Sequence, residues 1–452
     1  MSSSPWLPQC GEWNDAARRT VERAHEEFVG GNVHDPSVQQ VRRVVAESWR
    51  RSVQNRVGVE ALPSLRLTAE ELDELRRRHP LAGVIGMIRE LLLPGSADDS
   101  GVVIGVGDAS GQLLWVEGDL GVRRRVGDMG FVAGANWSED AVGTAAPGMA
   151  LALGQSVQVR GSEHFNLLVQ PWSCTAAPVR DPQTRSILGV IDVTGGEAAA
   201  TPQAQMLVDA TARAVEGELL LARLRAQAEP RPVEEGAPGN GRRRAARPLP
   251  ARPPAPVLSV LGRDTGALGG GHHGAEATDL SGRHAELLLM LKVHRQGVSA
   301  GRLAELVYGD GEATVTVRAE VTRLRKVLAE RRPDLQVLSR PYRLDGDLDT
   351  DAHRLLGLLD RGAHRVALAA YAGDVLPGSV APGVEDFRDA VRTALRESIL
   401  AEAGIDALLL YAETDAGAQD EEILRLALRL LPERSPKRSG LVSRLERLAV
   451  PD

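Results

Sequence analysis

Two cysteines, Cys10 and Cys174, are all that 452 residues contain, so a disulfide framework and a four-cysteine metal site are both excluded. That scarcity fits a reducing compartment. Aromatic residues make up only 3% of the chain, so its cores must be built mainly from Ala, Val and Leu. No apolar run is long enough to cross a bilayer as a helix. The start, Met1 to Trp6, lacks the basic residues and apolar segment of a secretory signal. A soluble, cytoplasmic protein is expected. No Gly-x-x-x-x-Gly-Lys-Ser/Thr phosphate loop occurs anywhere. Neither a Ser-His-Asp order nor a paired-carboxylate motif stands out, and catalysis ranks last among the function classes. The net charge of -7 offers no general attraction to nucleic acid, so any basic site must be local. Lysine is scarce beside abundant Ala, Arg and Gly, a composition associated with high-GC genomes.

A hydrophobic fraction of 43% and a charged fraction of 25% describe a mostly globular chain. Its length suggests roughly two to four domains. Residues 1–80 read as an N-terminal helical region. Asp15 to Val29 is one helix, and a second carries Val41, Val44, Val45, Ser48, Trp49 and Ser52 on one face. The arginines around it, Arg42, Arg43, Arg50, Arg51 and Arg56, read as solvated. Thr68 and Glu71 form a capping box for a third helix.

From about residue 81 to 228 the texture is that of an α+β sensor domain. Strands are expected at Val102 to Val106, Gln112 to Glu117, Ser156 to Arg160, Ser173 to Arg180 and Ile187 to Thr194. Asp181-Pro182-Gln183-Thr184 supplies hairpin chemistry between the last two. A helix over Glu139 to Leu153 is expected to break near Pro147-Gly148. A long helix from Pro202 to Arg225 closes the domain, with Thr201 as its N-cap. Residues 229–276 are dense in Pro, Gly and Ala and read as a flexible linker. Its arginines (Arg242, Arg243, Arg244, Arg247 and Arg252) keep it solvated. His272-His273 lacks further ligands at metal spacing.

Residues 277–346 follow the plan helix, helix, turn, helix, β-hairpin, which is that of a winged helix. The third helix buries Val317, Val321, Leu324 and Leu328 at helical spacing. Arg318, Thr322, Arg325 and Lys326 point elsewhere, with Arg323 at the border. This segment is net basic inside an acidic protein. Residues 347–452 read as an all-α region of helix pairs, similar to a tetratricopeptide array but without a clean repeat.

Several motifs in order carry a resemblance. Ser48-Trp49-Arg50-Arg51-Ser52, Gly134 to Glu139, Val142-Gly143-Thr144, Gly161 to Phe165, Ser173 to Pro178 and Gly189 to Gly195 together resemble the GAF domain of bacterial acetoin-catabolism activators and the helix before it. The likeness spans roughly Val41 to Arg225. Those activators continue into an ATPase module that works with a specialised sigma factor; without a phosphate loop, neither property carries over. The stretch Val317 to Lys326 resembles the third helix of OmpR/PhoB-type winged helices. Ala319 stands where a larger residue is usual in that class. The helical remainder, with Gly373-Asp374-Val375-Leu376-Pro377-Gly378, resembles the activator domain that follows such winged helices.

Taken together, the chain resembles actinobacterial GAF-domain transcriptional regulators. The resemblance implies a multidomain α+β protein: a GAF-like antiparallel sheet with helices, a winged helix-turn-helix and an all-α C-terminal region. It implies DNA contacts from Arg318, Thr322, Arg323 and Lys326; Arg325 on the same helix and Arg343 on the wing are further DNA candidates. It implies a small-molecule pocket lined by Phe131, Trp137, His164, Phe165, Trp172 and Cys174. Cys174 is better read as a core residue than as a redox thiol. His164 either faces the ligand or pins its loop. The expected partners are DNA, a small molecule, RNA polymerase and a second copy of the chain through the closing helix. No cofactor or metal is named. The rival reading is a non-catalytic signalling adaptor that uses the same domains to bind protein.

Overall fold

The computed structural model describes residues 13–65, 67–93, 95, 100–228, 255–269 and 277–449. Cys10, the five arginines of the linker and His272-His273 lie outside the described residues. The chain divides into two compact units; 361–366 and 402–406 group with the first, and the rest beyond Arg231 forms the second. No helix among the described residues is long and apolar enough to cross a membrane.

The first unit begins with helices α1 (Asp15–Val29), α2 (Arg43–Gln54), α3 (Ala69–Arg78) and α4 (Ile85–Leu92). Then come β1 (Val102–Asp108), β2 (Leu113–Gly118), α5 (Leu120–Asp128), α6 (Glu139–Val142), α7 (Ala146–Leu153), β3 (Val157–Arg160), β4 (Ser173–Arg180), β5 (Ile187–Gly195) and α8 (Pro202–Ala228). The five strands form one antiparallel sheet in the order β2-β1-β5-β4-β3.

Both faces of this sheet are covered, which is why β1 and β5 read as nearly continuous apolar runs instead of alternating ones. On one face Ile104, Val106, Ala177, Val179, Ile191 and Val193 meet Ile88 of α4 and Val208, Ala212 and Val215 of α8. On the other, Val157, Val159, Cys174, Ala176 and Val190 meet Phe28 of α1, Val45 and Trp49 of α2 and Met149 of α7.

That second core corrects the boundary expected at residue 80. α1 and α2 are not a separate region; they form one wall of the sheet's own core. The expected caps are present: Thr68 and Glu71 close their box, and Ala204 N–H donates to Thr201 Oγ1 at 3.2 Å. The predicted helix over Glu139 to Leu153 breaks earlier than expected. Gly143, at φ 78°, ends α6, whereas Pro147 sits in the first turn of α7, where its missing N–H leaves no bond unmade.

The second unit starts with β6 (Val257–Ser259), β7 (Gly266–Gly269) and β8 (Thr278–Leu280). It continues through α9 (Gly282–Val293), α10 (Ala300–Tyr308), α11 (Thr314–Arg331), β9 (Gln336–Leu338), β10 (Arg343–Asp345) and β11 (Asp349–Thr350). Helices follow: α12 (Asp351–Asp360), α13 (His364–Ala370), α14 (Pro382–Glu402), α15 (Ile405–Tyr411), α16 (Asp415–Ala418), α17 (Glu421–Leu430) and α18 (Lys437–Leu448).

β6 and β7 correct the linker reading. They lie within 229–276 yet pair in a four-stranded sheet ordered β11-β6-β7-β8. β11, which flanks β6 in parallel, comes from residues 349–350, so the partner that makes a strand of Val257–Ser259 is far away in sequence. The Asp374-to-Leu376 loop is tied to the same sheet: Gly262 N–H donates to Asp374 O at 2.8 Å and Leu376 N–H to Val260 O at 2.9 Å. The buried Arg388 guanidinium caps that loop, donating to the carbonyls of Val375, Leu376 and Ser379.

Candidate functional site

The first candidate lies inside the first unit, on the sheet face that meets α2 and α7. Cross-strand register sets Gly105 of β1 and Ala176 of β4 on either side of Asp192 of β5, and Cys174 opposite Thr194. Side chains two apart on a strand share a face, so Asp192, Thr194 and Cys174 point the same way. Asp192 has no solvent exposure. Thr194 Oγ1 donates to Asp192 Oδ2 at 2.7 Å, and Cys174 Sγ lies 3.2 Å from Thr194 Oγ1. Asp192 Oδ1 has no hydrogen-bond partner among the described residues. Burial pushes the Asp192 carboxyl up to about 7, against the pull of the Thr194 hydroxyl. Burial, with the carboxylate beside it, pushes the Cys174 thiol up as well. Cys174 is therefore a protonated core thiol, not an activated nucleophile.

Gly105 makes room for a cover over this face. A Cβ there would lie 2.6 Å from Phe131 Cζ. Phe131 meets Trp137 edge-on at 4.8 Å between centroids, and Trp137 Nε1 donates to Gly130 O at 3.1 Å. Phe165 joins Cys174 in the core shared with α2. Trp172 stands apart, under the Arg125 guanidinium at 5.0 Å. His164 is fully buried, and its Nδ1 lies 2.9 Å from Gly161 O. A carbonyl can only accept, so Nδ1 carries the hydrogen and Nε2 is the bare acceptor, without a partner among the described residues. Burial drives His164 down to about 4. The structure thus groups Phe131 with Trp137 and Phe165 with Cys174. It adds Asp192, Thr194 and Gly105, which the expected lining set omitted. The signal for Asp192 was one acidic residue inside the apolar run Val190-Ile191-Asp192-Val193.

The loops that cover this face are pinned by α2, and here the solvated reading of its arginines is corrected. Arg42 forks onto Glu163, with Nε to Oε1 at 2.6 Å and Nη2 to Oε2 at 2.5 Å. Arg51 forks onto Glu139 at 2.9 and 2.8 Å. Both carboxylates are buried, their side chains 3% and 7% exposed. A buried carboxylate needs such a partner, because an unpaired charge there costs several kcal/mol. Trp49 Nε1 donates to Glu163 O at 2.8 Å, and Ser48 Oγ donates to Glu139. Arg43, Arg50 and Arg56 are exposed, as expected.

The second candidate is α11. Val317, Val321, Leu324 and Leu328 are buried at 0 to 1% exposure, the stripe its spacing predicts. Arg318, Thr322, Arg323 and Lys326 are exposed. The Thr322 hydroxyl donates to Arg318 O at 2.7 Å, and Arg323 pairs with Glu320. Arg325 is half-buried and occupied: Nε donates to Val337 O at 2.8 Å and Nη2 to Ser339 Oγ at 2.5 Å, tying α11 to the β9-β10 hairpin. Arg343 is exposed on β10. One residue escaped the sequence reading. Val315, at the start of α11, is 73% exposed and shares the outward side with Arg318 and Thr322.

Against this geometry stand the relatives. A model of the MimR N-terminal domain matches residues 17–217, and one of the third C-terminal helical domain of YTH3-like proteins matches 405–450. The chain is 37% identical over 458 aligned positions to an uncharacterized 47.3 kDa protein in the thcA 5' region of Rhodococcus erythropolis, covering 99% of this chain and 97% of the other. It is 33% identical to the acetoin dehydrogenase operon transcriptional activator AcoR of Bacillus subtilis, over 42% of this chain and 31% of that one. It is 30% identical to the propane 2-monooxygenase operon transcriptional activator MimR of Mycolicibacterium goodii, over 44% and 33%. The chain thus spans about a third of the length of those two activators. Among solved structures, the Escherichia coli DhaR(N)-DhaL complex aligns at TM-score 0.36 and 22% identity, over 41% of this chain and 62% of that one.

Proposed function

The chain belongs to the family of the 47.3 kDa Rhodococcus erythropolis protein, and from that premise we propose that it is a DNA-binding transcriptional regulator. In this reading the first unit is a GAF-type sensor and α9 to β10 form a winged helix whose third helix, α11, enters the major groove. The observation that carries it is the division of α11 into a buried Val-Leu stripe and an exposed side bearing Val315, Arg318, Thr322 and Lys326. An exposed valine suits a thymine methyl, and the cations suit guanine or phosphate. Arg325 acts through the hairpin, holding the helix instead of touching DNA. Relatives named as operon transcriptional activators, and the MimR N-terminal domain model over residues 17–217 of the first unit, support the regulatory role.

Gel shifts on genomic fragments test this. Arg318→Ala and Lys326→Ala should each weaken binding about tenfold, and a variant that no longer neutralises its phosphate should show a salt slope lower by about one. If both variants bind like the parent, α11 is not the DNA element.

The sensor reading rests on the lone Oδ1 of Asp192 and the bare Nε2 of His164, two buried polar atoms with nothing among the described residues to bond. A small uncharged molecule with a hydroxyl to donate satisfies either. Thermal shifts with a panel of small alcohols and hydroxyketones, on the parent and on Asp192→Asn, check this. A compound that stabilises the parent and not the variant is expected; equal shifts for both count against Asp192 as its anchor.

A further inference from the structure

We propose that α8 is one strand of a parallel, in-register two-stranded coiled coil, and that its occupant is α8 of a second copy of this chain. The helix carries two apolar stripes. Val208, Ala212 and Val215 face the sheet and are buried. On the opposite side Leu207, Ala210, Ala214, Gly217, Leu221 and Leu224 are all exposed, and their spacings run three, four, three, four, three. That is the a/d alternation of a heptad seam. It persists for about 26 Å at the rise of an α-helix. Leu207, Leu221 and Leu224 stand 46%, 47% and 49% exposed. Nothing among the described residues covers this side, and an uncovered run of leucines is unfavourable in water.

The seam's composition and charge choose the partner. Small residues at Ala210, Ala214 and Gly217 form a shallow middle, which an identical helix fills by close approach while its leucines pack at either end. With Leu207 and Ala210 at positions a and d, Arg213 falls at g and Glu218 at the e position five residues later. In a parallel, in-register pair, g of one helix faces that e of the other. Arg213 therefore meets Glu218 of the second copy, twice by symmetry. Glu218 already leans on Arg225 of its own helix at 3.1 Å, which holds it at the seam's edge. In an antiparallel pair g faces g and this match is lost. A parallel pair also delivers both chains from the same end of the coil.

This inference gives the dimer expected of a regulator a specific surface, but it does not depend on α11 meeting DNA. Its test uses neither DNA nor ligand, so failure of one reading leaves the other standing. Sedimentation equilibrium of the full chain should show a dimer. Leu221→Glu with Leu224→Glu should weaken association at least about 100-fold, since each places a charge in the seam. Both sites are exposed within the fold, so the variant should keep the parent's circular dichroism and melting temperature; a loss of either would be answered by the cysteine pair below. Arg213→Glu alone should weaken the dimer, and adding Glu218→Arg should restore it. On a Cys10→Ser background, oxidised Leu224→Cys should cross-link to itself, because an in-register pair sets identical residues side by side. A monomeric parent, or an undiminished dimer in the double glutamate variant, overturns the seam. A disulfide between Leu207→Cys and Leu224→Cys chains, with none within either, overturns the parallel register.

Discussion

Asp192→Asn is expected to make the stability of the first unit climb more steeply with pH between about 4 and 6.5 than that of the parent does. Two buried groups oppose each other there. His164 is held down to about 4 from an ordinary 6.5 by burial. Across that window the unfolded chain takes a proton that the folded chain refuses, so this group's contribution rises with pH and is complete above 6.5. Asp192 is held up to about 7 from 3.8 by burial. Here the folded chain keeps a proton that the unfolded chain has lost, so its contribution is full below 3.8 and falls until about pH 7. At about 1.4 kcal/mol per pH unit, the first is worth roughly 3 kcal/mol and the second roughly 4. Asp128, pushed up to about 6 by burial, and His25 and His79, held down by burial, also shape the curve in this window, so the readout is the difference from the parent: removing the acid adds a rise with pH, and His164→Gln adds a fall. Urea unfolding of the parent and both variants from pH 4.5 to 7 reads this out. Three parallel curves would mean that neither group is buried as described. The same balance bears on sensing. A ligand that donates a hydrogen bond to Asp192 Oδ1 favours the carboxylate, so its binding near pH 7 should release a proton.

Trp49→Ala should destabilise the first unit by about 3 to 5 kcal/mol, a large part of the stability of an ordinary domain. Trp49 is fully buried and packs against Phe28 and His25, joining α1 and α2 to the sheet. Its indole also satisfies the carbonyl of Glu163, the residue that Arg42 holds. Truncation empties the largest side chain of this wall and leaves that carbonyl bare. Trp49→Phe keeps most of the volume and loses the N–H, so about 1 to 2 kcal/mol is expected from the bond, beside a small packing loss. Chemical denaturation of the three proteins gives the order. If Trp49→Ala falls within about 1 kcal/mol of the parent, α2 is an accessory helix and not part of the core.

Properties that depend on neighbours along the chain were legible in the sequence. The spacing of Val317, Val321, Leu324 and Leu328 predicts the buried side of α11, and the structure buries all four. Thr68 with Glu71 and Thr201 announce helix starts because a cap acts over three residues. β1, β4 and β5 stand where apolar runs end in turn residues, and Asp181 accepts from the N–H groups of Gln183 and Thr184 between the last two. Tertiary structure alone decided what depends on residues far away. Arg42 and Arg51 look like surface charges until Glu163 and Glu139, 121 and 88 residues on, meet them across the core. Val257–Ser259 is a strand because Asp349–Thr350 and Gly266–Gly269 flank it, which a Pro- and Gly-rich composition does not reveal. The bonds of Arg325 to Val337 and Ser339 of the hairpin were hidden for the same reason. Asp192 became a candidate only when Gly105, Thr194 and Cys174 closed around it, since burial and the want of a partner are properties of a surrounding and not of a residue.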